Sequence, residues 1–353
     1  MLSPKSLEFK KSVTPNLPLS LELVILTPSY KRSKPMPSYA FFKNKFVPLA
    51  EAKIGILTHA LHYGTACFEG IRGNWNSQKE QLYIFRCQEH YARLLNNCKL
   101  LKINLPYSVD ELCRLTVELL QKSGYKEDIY IRPLAYKSSE ALGVRLHGLE
   151  DDIFIVVTTF GPYLDATNGI KCCVSSWLRP DDNMIPARGK ITGIYVNNAL
   201  AKTEAIENGF QEAIMLTSDG YVSEGSGENI FLVIDEKLVT PSSNDRILMG
   251  ITRNTVIQLA KNELGIETVE RHVDRSELYL AEECLLTGTA AHITPVVEID
   301  HRKVADGKIG KLTKQLQKLY FDVESGKNKK YLHWCTPVYT KPARSAKTGS
   351  RAR

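Results

Sequence analysis

Asp181-Asp182-Asn183-Met184-Ile185-Pro186-Ala187-Arg188-Gly189-Lys190-Ile191-Thr192-Gly193-Ile194-Tyr195 is the stretch around which the chain is organised. It offers one lysine, Lys190, with Tyr195 five positions later. A lysine amine becomes a covalent catalyst by condensing with a carbonyl, and a cofactor aldehyde is the commonest such partner. Such a cofactor brings further demands: an acid for a ring nitrogen, backbone donors and an arginine for a phosphate, and a donor for a phenolic oxygen. The rest of the chain holds candidates for each of those parts.

At 353 residues the chain exceeds what one hydrophobic core usually organises, so two domains are expected. Hydrophobic residues at 43% and charged residues at 24% allow a large buried core. The net charge of +7 suggests nucleic acid until it is located. Residues 1–36 carry +4 and residues 341–353 carry +5, leaving −2 on the body between them. Basic tails on a nearly neutral body read as solvated extensions, and no nucleic-acid partner is expected. The eight cysteines lack Cys-x-x-Cys spacing and read as reduced thiols. Cys172 and Cys173, adjacent in a predicted strand, point to opposite faces and are not expected to pair. No apolar run approaches the roughly 20 residues that span a bilayer. The segment from Leu17 to Leu26, broken by Pro18 and Glu22, stays open between a strand, a packing arm and part of a transit peptide.

Tyr39–Phe42 and residues 46–47 flank Lys43-Asn44-Lys45 and predict a hairpin. Then come His59 and His62, Tyr63-Gly64 and Phe68-Glu69-Gly70-Ile71-Arg72; two histidines without a third ligand nearby read as packing or hydrogen-bonding residues, so no metal is expected. Gln81–Phe85 predicts a strand and residues 88–101 a helix carrying Arg93, which alone reads as a solvated charge. Leu112, Leu115 and Leu119 place a second helix over 110–121. A strand over 129–134 sets Tyr130 and Arg132 on one side, where they either hold a carboxylate or face solvent. Strands over 152–159 and 170–176 bracket Phe160-Gly161-Pro162-Tyr163-Leu164-Asp165, the best internal boundary. A helix over 198–208 ends at Gly209, and strands over 212–217 and 221–222 flank Ser218-Asp219-Gly220.

Next stands Ser223-Glu224-Gly225-Ser226-Gly227-Glu228-Asn229, whose glycines let the backbone pass close to something bulky. A dinucleotide fingerprint needs another glycine at position 230, where this chain has Ile230. Leu248-Met249-Gly250-Ile251-Thr252-Arg253 opens an amphipathic segment; its free N–H groups suit a phosphate, or its threonine is an ordinary cap. Gly288-Thr289-Ala290-Ala291 follows a strand as a tight turn whose amides suit a carboxylate or a phosphate.

In their order and spacing these segments resemble the fold-type IV pyridoxal-phosphate enzymes, and among them the branched-chain amino-acid aminotransferases, across residues 38–335. The resemblance implies a mixed α/β fold with the cofactor between two domains. A small N-terminal domain would span 38–159, a loop 160–168 and a large cofactor-binding domain 169–335, with an extension over 1–37 and a basic tail over 336–353. It implies transamination between leucine, isoleucine or valine and 2-oxoglutarate. Lys190 would carry pyridoxal phosphate and move the proton, which calls for an amine less basic than solvated lysine. Glu224 would pair with the ring nitrogen, Tyr195 would donate to the phenolic oxygen, and Leu248 would pack on the ring. Arg93, the helix start Gly250-Ile251-Thr252 and the turn Gly288-Thr289 would hold the phosphate.

On the substrate side, the resemblance puts the α-carboxylate at the amides of Thr289 and Ala290 with help from Tyr130. Phe68, Tyr63 and Tyr163 would form apolar walls, Arg132 with the tyrosine hydroxyls would receive the γ-carboxylate of glutamate, and Arg72 would buttress the pocket from beneath. Ile191, Ile194 and Gly161-Pro162 depart from the family's pattern near that pocket. Rival activities on the same fold are D-amino-acid aminotransferase, (R)-selective amine transaminase and aminodeoxychorismate lyase, all disfavoured by Tyr63-Gly64, Phe68-Glu69-Gly70 and Arg72. A non-catalytic protein using its basic tails is disfavoured by the joint presence of Lys190, Glu224 and Tyr195. The resemblance further implies a homodimer or larger assembly. The expected location is cytoplasmic, with organellar targeting by the N-terminal extension left open.

Overall fold

The computed structural model describes residues 38–159, 161 and 164–339. Tyr163, the N-terminal extension and the last fourteen residues lie outside the described residues. The first half of the chain builds one sheet. β1 (Tyr39–Phe42) and β2 (Lys45–Pro48) form the expected hairpin over a two-residue turn instead of three: Lys43 and Asn44 both take positive φ, 48° and 59°, which matches the twist of the strands. There follow α1 (His59–Tyr63), β3 (Ala66–Phe68), β4 (Ile71–Asn76), β5 (Gln81–Phe85), α2 (Cys87–Leu100), α3 (Val109–Ser123), β6 (Ile129–Lys137) and β7 (Asp151–Thr159). The strand order is β5-β4-β6-β7-β1-β2, with β3 also on β6. α3 starts on a capping box made by Ser108 and Glu111 and stops at Gly124 in the left-handed region. Its Leu112, Leu119 and Leu120 join Tyr91 and Leu94 of α2 in a fully buried core, each contributing about 2 kcal/mol.

One irregularity of this sheet admits a charge to the interior. β4 pairs with residues 129–131 of β6 and β3 with residues 134–136. Between those ladders falls Pro133, which has no N–H to contribute. The chain crosses there from β3 to β4 through Glu69 and Gly70. The Glu69 N–H donates to Pro133 O at 2.9 Å, and a Cβ on Gly70 would stand 1.9 Å from the Tyr130 hydroxyl. Glu69 is thereby held at 0% exposure.

The second half adds β8 (Ile170–Val174), α4 (Tyr195–Glu207), β9 (Glu212–Leu216), β10 (Val222–Gly225), β11 (Asn229–Ile234), β12 (Lys237–Thr240), α5 (Ile251–Leu264), β13 (Thr268–Glu270), β14 (Glu283–Gly288), β15 (His292–Ile299), β16 (Arg302–Lys303), α6 (Lys311–Glu324) and β17 (Cys335–Pro337). Its sheet runs β10-β9-β8-β15-β14-β11-β12-β13, with β16 on β15. β8 pairs in parallel with β9 and with β15, so the chain must cross over between β8 and β9, and α4 lies on that crossover. α4 starts at Tyr195, three residues before the predicted start at Asn198. α5 and α6 bury Val256, Leu259, Leu316 and Tyr320 against Phe231 and Leu285 of the sheet. β17 returns to the first sheet and pairs with β5, so Thr336 and Pro337 are strand residues within the stretch expected to be tail. All eight cysteines are buried and free.

Candidate active site

The long connection from β8 to α4 brings Lys190 against the first sheet. The Phe68 N–H donates to Lys190 O at 3.0 Å, and Cys67 bridges Ile191. Thr192 Oγ1 donates to Gly64 O at 2.8 Å, and a Cβ on Gly64 (φ 63°) would meet the Gly193 backbone at 2.8 Å. Ile191 and Ile194 are buried at this junction, which gives their bulk a packing role. At the end of the side chain, Lys190 Nζ donates to Tyr195 Oη at 2.7 Å. Burial depresses the ammonium and Arg93 opposes it, but Tyr195, Glu69 and Tyr130 outweigh both and leave the amine above the ordinary lysine value. These groups alone therefore do not produce the less basic amine expected from the sequence.

Glu224 faces the same space from β10. A register shift between Val222 and Glu224 breaks the ladder with β9 there, and such bulges re-aim side chains. Glu224 Oε1 stands 2.8 Å from Arg179 Nη2, while Oε2 accepts from Asn229 Nδ2 at 2.8 Å and from the Leu248 N–H at 3.1 Å. Arg179 Nη1 donates to Asn198 Oδ1 at 2.8 Å, and Asn198 Nδ2 donates to Ser226 O at 2.7 Å. Burial raises the Glu224 carboxyl further than Arg179 and the Leu248 N–H lower it. Behind it, burial and the neighbouring Glu212 push Glu228 up to about 8. Sequence reasoning missed Arg179, because nothing in Trp177-Leu178-Arg179-Pro180 sets it apart from a surface arginine.

The phosphate-sized end of the site is a helix start. Gly250 is the N-cap of α5 and no side chain caps the helix, so the first amides, those of Ile251 and Thr252 among them, lack intrahelical partners. Thr252 is thus not the cap. A Cβ at position 250 would stand 2.0 Å from Asn229 Oδ1, which explains the glycine. Arg93 is not a solvated charge either. Its Nε and Nη2 donate to the two Glu69 oxygens at 2.7 Å each, and Nη1 donates to Met249 O at 2.8 Å. His90 Nδ1 lies 2.8 Å from Glu69 Oε2. Burial raises the Glu69 carboxyl, but Arg93 and His90 outweigh it and hold it at about 2. Glu69 and His90 were missed as partners because the helix and the strand crossing meet only in the fold.

The turn between β14 and β15 completes the enclosure. Arg72 Nε and Nη2 donate to Thr289 O and Ala290 O, both at 3.0 Å. In trans peptides the N–H points opposite to the carbonyl, so the Ala290 and Ala291 N–H groups face away from Arg72. From the first sheet, Phe68 lies 4.7 Å from the Tyr195 ring, and the Arg132 guanidinium lies 4.5 Å over Phe68. Arg132 Nη2 donates to Tyr130 Oη at 3.2 Å, and its buried Nε has no hydrogen-bond partner. Tyr130 is buried, so this is not the strand's solvent face. Tyr63 stands apart, its hydroxyl accepting from the Gly143 N–H at 3.0 Å, and His59 bonds Thr65 and Gly143 O.

Arg93, Lys190, Tyr195, Glu224, Leu248, Gly250, Ile251, Thr252, Gly288 and Thr289 all line one cavity of about 540 Å³, its open mouth included. Residues 66–299 match the family model for class IV amino-transferases. The chain belongs to that family. A probable branched-chain-amino-acid aminotransferase of Aquifex aeolicus is 55% identical over 303 residues, 86% of this chain and 97% of the relative. The branched-chain aminotransferase of Thermoproteus uzoniensis, solved with norvaline, superposes with a TM-score of 0.82 at 43% identity, covering 86% of this chain and all of that one. The branched-chain amino acid aminotransferase of Thermobaculum terrenum, solved in its PLP-form, gives a TM-score of 0.83 at 37% identity over 87% of this chain and 100% of that one. The two-sheet mixed α/β fold is that of the fold-type IV pyridoxal-phosphate aminotransferases.

Proposed function

We propose that the protein transfers the α-amino group of leucine, isoleucine or valine to 2-oxoglutarate, giving branched-chain 2-oxo acids and glutamate. The observation that carries this reading is a lysine amine held by a tyrosine hydroxyl in the same cavity as a buried carboxylate held by an arginine. The residues fit pyridoxal phosphate. Lys190 would meet the aldehyde, Glu224 the ring nitrogen and Tyr195 the phenolic oxygen, the uncapped start of α5 with Arg93 and Thr289 would hold the phosphate, and Leu248 would pack on the ring. When bound, the cofactor supplies an electron sink for charge developing at the substrate Cα.

The chain's own groups do the rest. Lys190 Nζ takes the proton from Cα of the donor amino acid and, in the second half-reaction, delivers a proton to Cα of the acceptor 2-oxo acid, with Tyr195 Oη orienting the amine. Arg179 and Asn229 keep Glu224 aimed into the cavity. Arg72 pulls on the carbonyls of the 288–291 turn and so presents its amides to the α-carboxylate, beside Tyr130. Phe68 offers an apolar wall, while Arg132 over Phe68 has an unspent donor for a γ-carboxylate. One pocket can therefore take an aliphatic side chain and glutamate in turn.

A homo-oligomer belongs to the same proposal. Ile56, Leu61, Leu142 and Val144 are exposed on two segments tied together at Gly143, an apolar face suited to a second copy. A cytoplasmic location is proposed from the eight buried free thiols, which suit a reducing compartment. No helix among the described residues is long and apolar enough to cross a membrane.

The test is spectroscopic. The cofactor-loaded protein receives L-leucine, D-alanine and an (R)-arylalkylamine separately. Its visible band is expected to bleach with L-leucine and return with 2-oxoglutarate. Bleaching by D-alanine or the amine alone would overturn the substrate assignment, and a protein that takes up no pyridoxal phosphate would overturn the enzyme reading.

A further inference from the structure

Beneath the carboxylate-facing turn lies a polar pair, a partly buried histidine and a buried glutamate, that the reaction does not use. His292 carries the chain out of the turn and into β15 at φ 54°, a left-handed conformation that costs a side chain of its kind free energy. Across from it on α6, Glu324 is only 3% exposed. His292 Nδ1 approaches Glu324 Oε1 at 3.2 Å, while neither that nitrogen nor Glu324 Oε2 makes a hydrogen bond. A buried carboxyl group so poorly served by donors depends on whichever polar neighbour the fold brings beside it.

The surrounding groups single out the imidazole. From α6, Tyr320 and Phe321 set their rings 6.1 Å and 5.1 Å from His292. From β4, Asn74 Nδ2 donates to the Glu324 backbone carbonyl at 3.3 Å, and Arg72 is directed to the turn's own carbonyls. From β17, the Cys335 thiol donates to Val323 O. One turn back along α6, the Tyr320 hydroxyl faces Thr252 at the start of α5. Tyr320 and Glu324 thus lie four residues apart on one helix, one touching the phosphate-facing helix start and the other the carboxylate-facing turn.

We propose that His292 and Glu324 are positioning residues that fix the 288–291 turn against α6 and so set the affinity for the substrate's α-carboxylate without touching it. The inference rests on the reading of that turn given above. It is tested with H292N, which keeps a polar side chain that tolerates positive φ but removes the imidazole, with H292G, which removes the side chain altogether, and with E324Q and H292N/E324Q. Each single variant is expected to raise KM for L-leucine and Kd for 4-methylvalerate about tenfold while kcat stays within about twofold. The double variant is expected to be no worse than either single one, and cofactor uptake followed by absorbance should not change.

Wild-type KM and Kd in H292G would show that His292 is only a spacer and overturn the proposal. So would additive effects in the double variant, or losses of kcat and cofactor affinity that track KM. If the wild-type protein binds neither leucine nor 4-methylvalerate, the substrate reading fails first. Additive melting temperatures in the same four variants would then show that the two side chains do not act as a pair, and would overturn the inference separately.

Discussion

Replacing Arg179 with methionine removes the cation of a buried ion pair and leaves its carboxylate behind. The two side chains are 3% and 7% exposed, with Arg179 Nη2 2.8 Å from Glu224 Oε1. With charge centres about 4 Å apart and an effective dielectric constant of about 20, their attraction is about 4 kcal/mol. That agrees with the cost of about 3–5 kcal/mol usually seen when one partner of a buried pair is removed. Asn229 and the Leu248 N–H remain on the other oxygen, but neither carries charge. At about 2 °C per kcal/mol for a chain of this size, R179M should melt about 6–10 °C below wild type. The assay is a melt followed by circular dichroism with saturating pyridoxal phosphate, run on wild type, R179M, E224Q and R179M/E224Q. The double variant should melt above R179M, because the stranded charge is gone. If R179M melts within about 2 °C of wild type, or if the double variant falls to the sum of the singles, the pair is not the coupled unit described here.

Arg132→Met should raise KM for 2-oxoglutarate about 10–100-fold, the loss of a charged hydrogen bond, while the leucine half-reaction changes less than about threefold in stopped-flow absorbance. Gly250→Ala sets a Cβ 2.0 Å from Asn229 Oδ1 and should weaken cofactor binding at least tenfold in an absorbance titration. Glu69 is held at about 2 against an ordinary 4.5, so its contribution to stability is present above 4.5 and is lost as pH falls toward 2; E69Q should lack that part of the acid limb in melts across pH. Glu228 is raised from 4.5 to about 8, so the fold favours its neutral form and loses stability as pH rises between those values. E228Q should flatten that slope, and an unchanged slope would show that Glu228 is not its source.

Short-range features of this protein are carried by adjacent residues. The Ser108 to Glu111 capping box, the positive φ at Lys43 and Asn44, the uncapped helix start at Gly250 and the five-residue step from Lys190 to Tyr195 all depend on neighbours in the chain. Their backbone chemistry is complete within a few positions, so the amino-acid order alone determined a lysine beside a tyrosine, amides ready for an anion and a tight turn after a strand. That was enough to mark where a cofactor would sit.

Which charges work together was decided only by the tertiary structure. Arg179 finds Glu224, Arg93 finds Glu69 24 residues away, and Arg72 reaches the Thr289 carbonyl across 217 positions. Arg132 keeps an unspent donor over Phe68, and Glu324 has His292 at 3.2 Å, yet in sequence each of these looks like an ordinary strand or helix charge. The reason is physical. A charge acquires a role when it loses water and gains one particular partner, and both burial and partner depend on how the two sheets close, which no local stretch of the chain encodes.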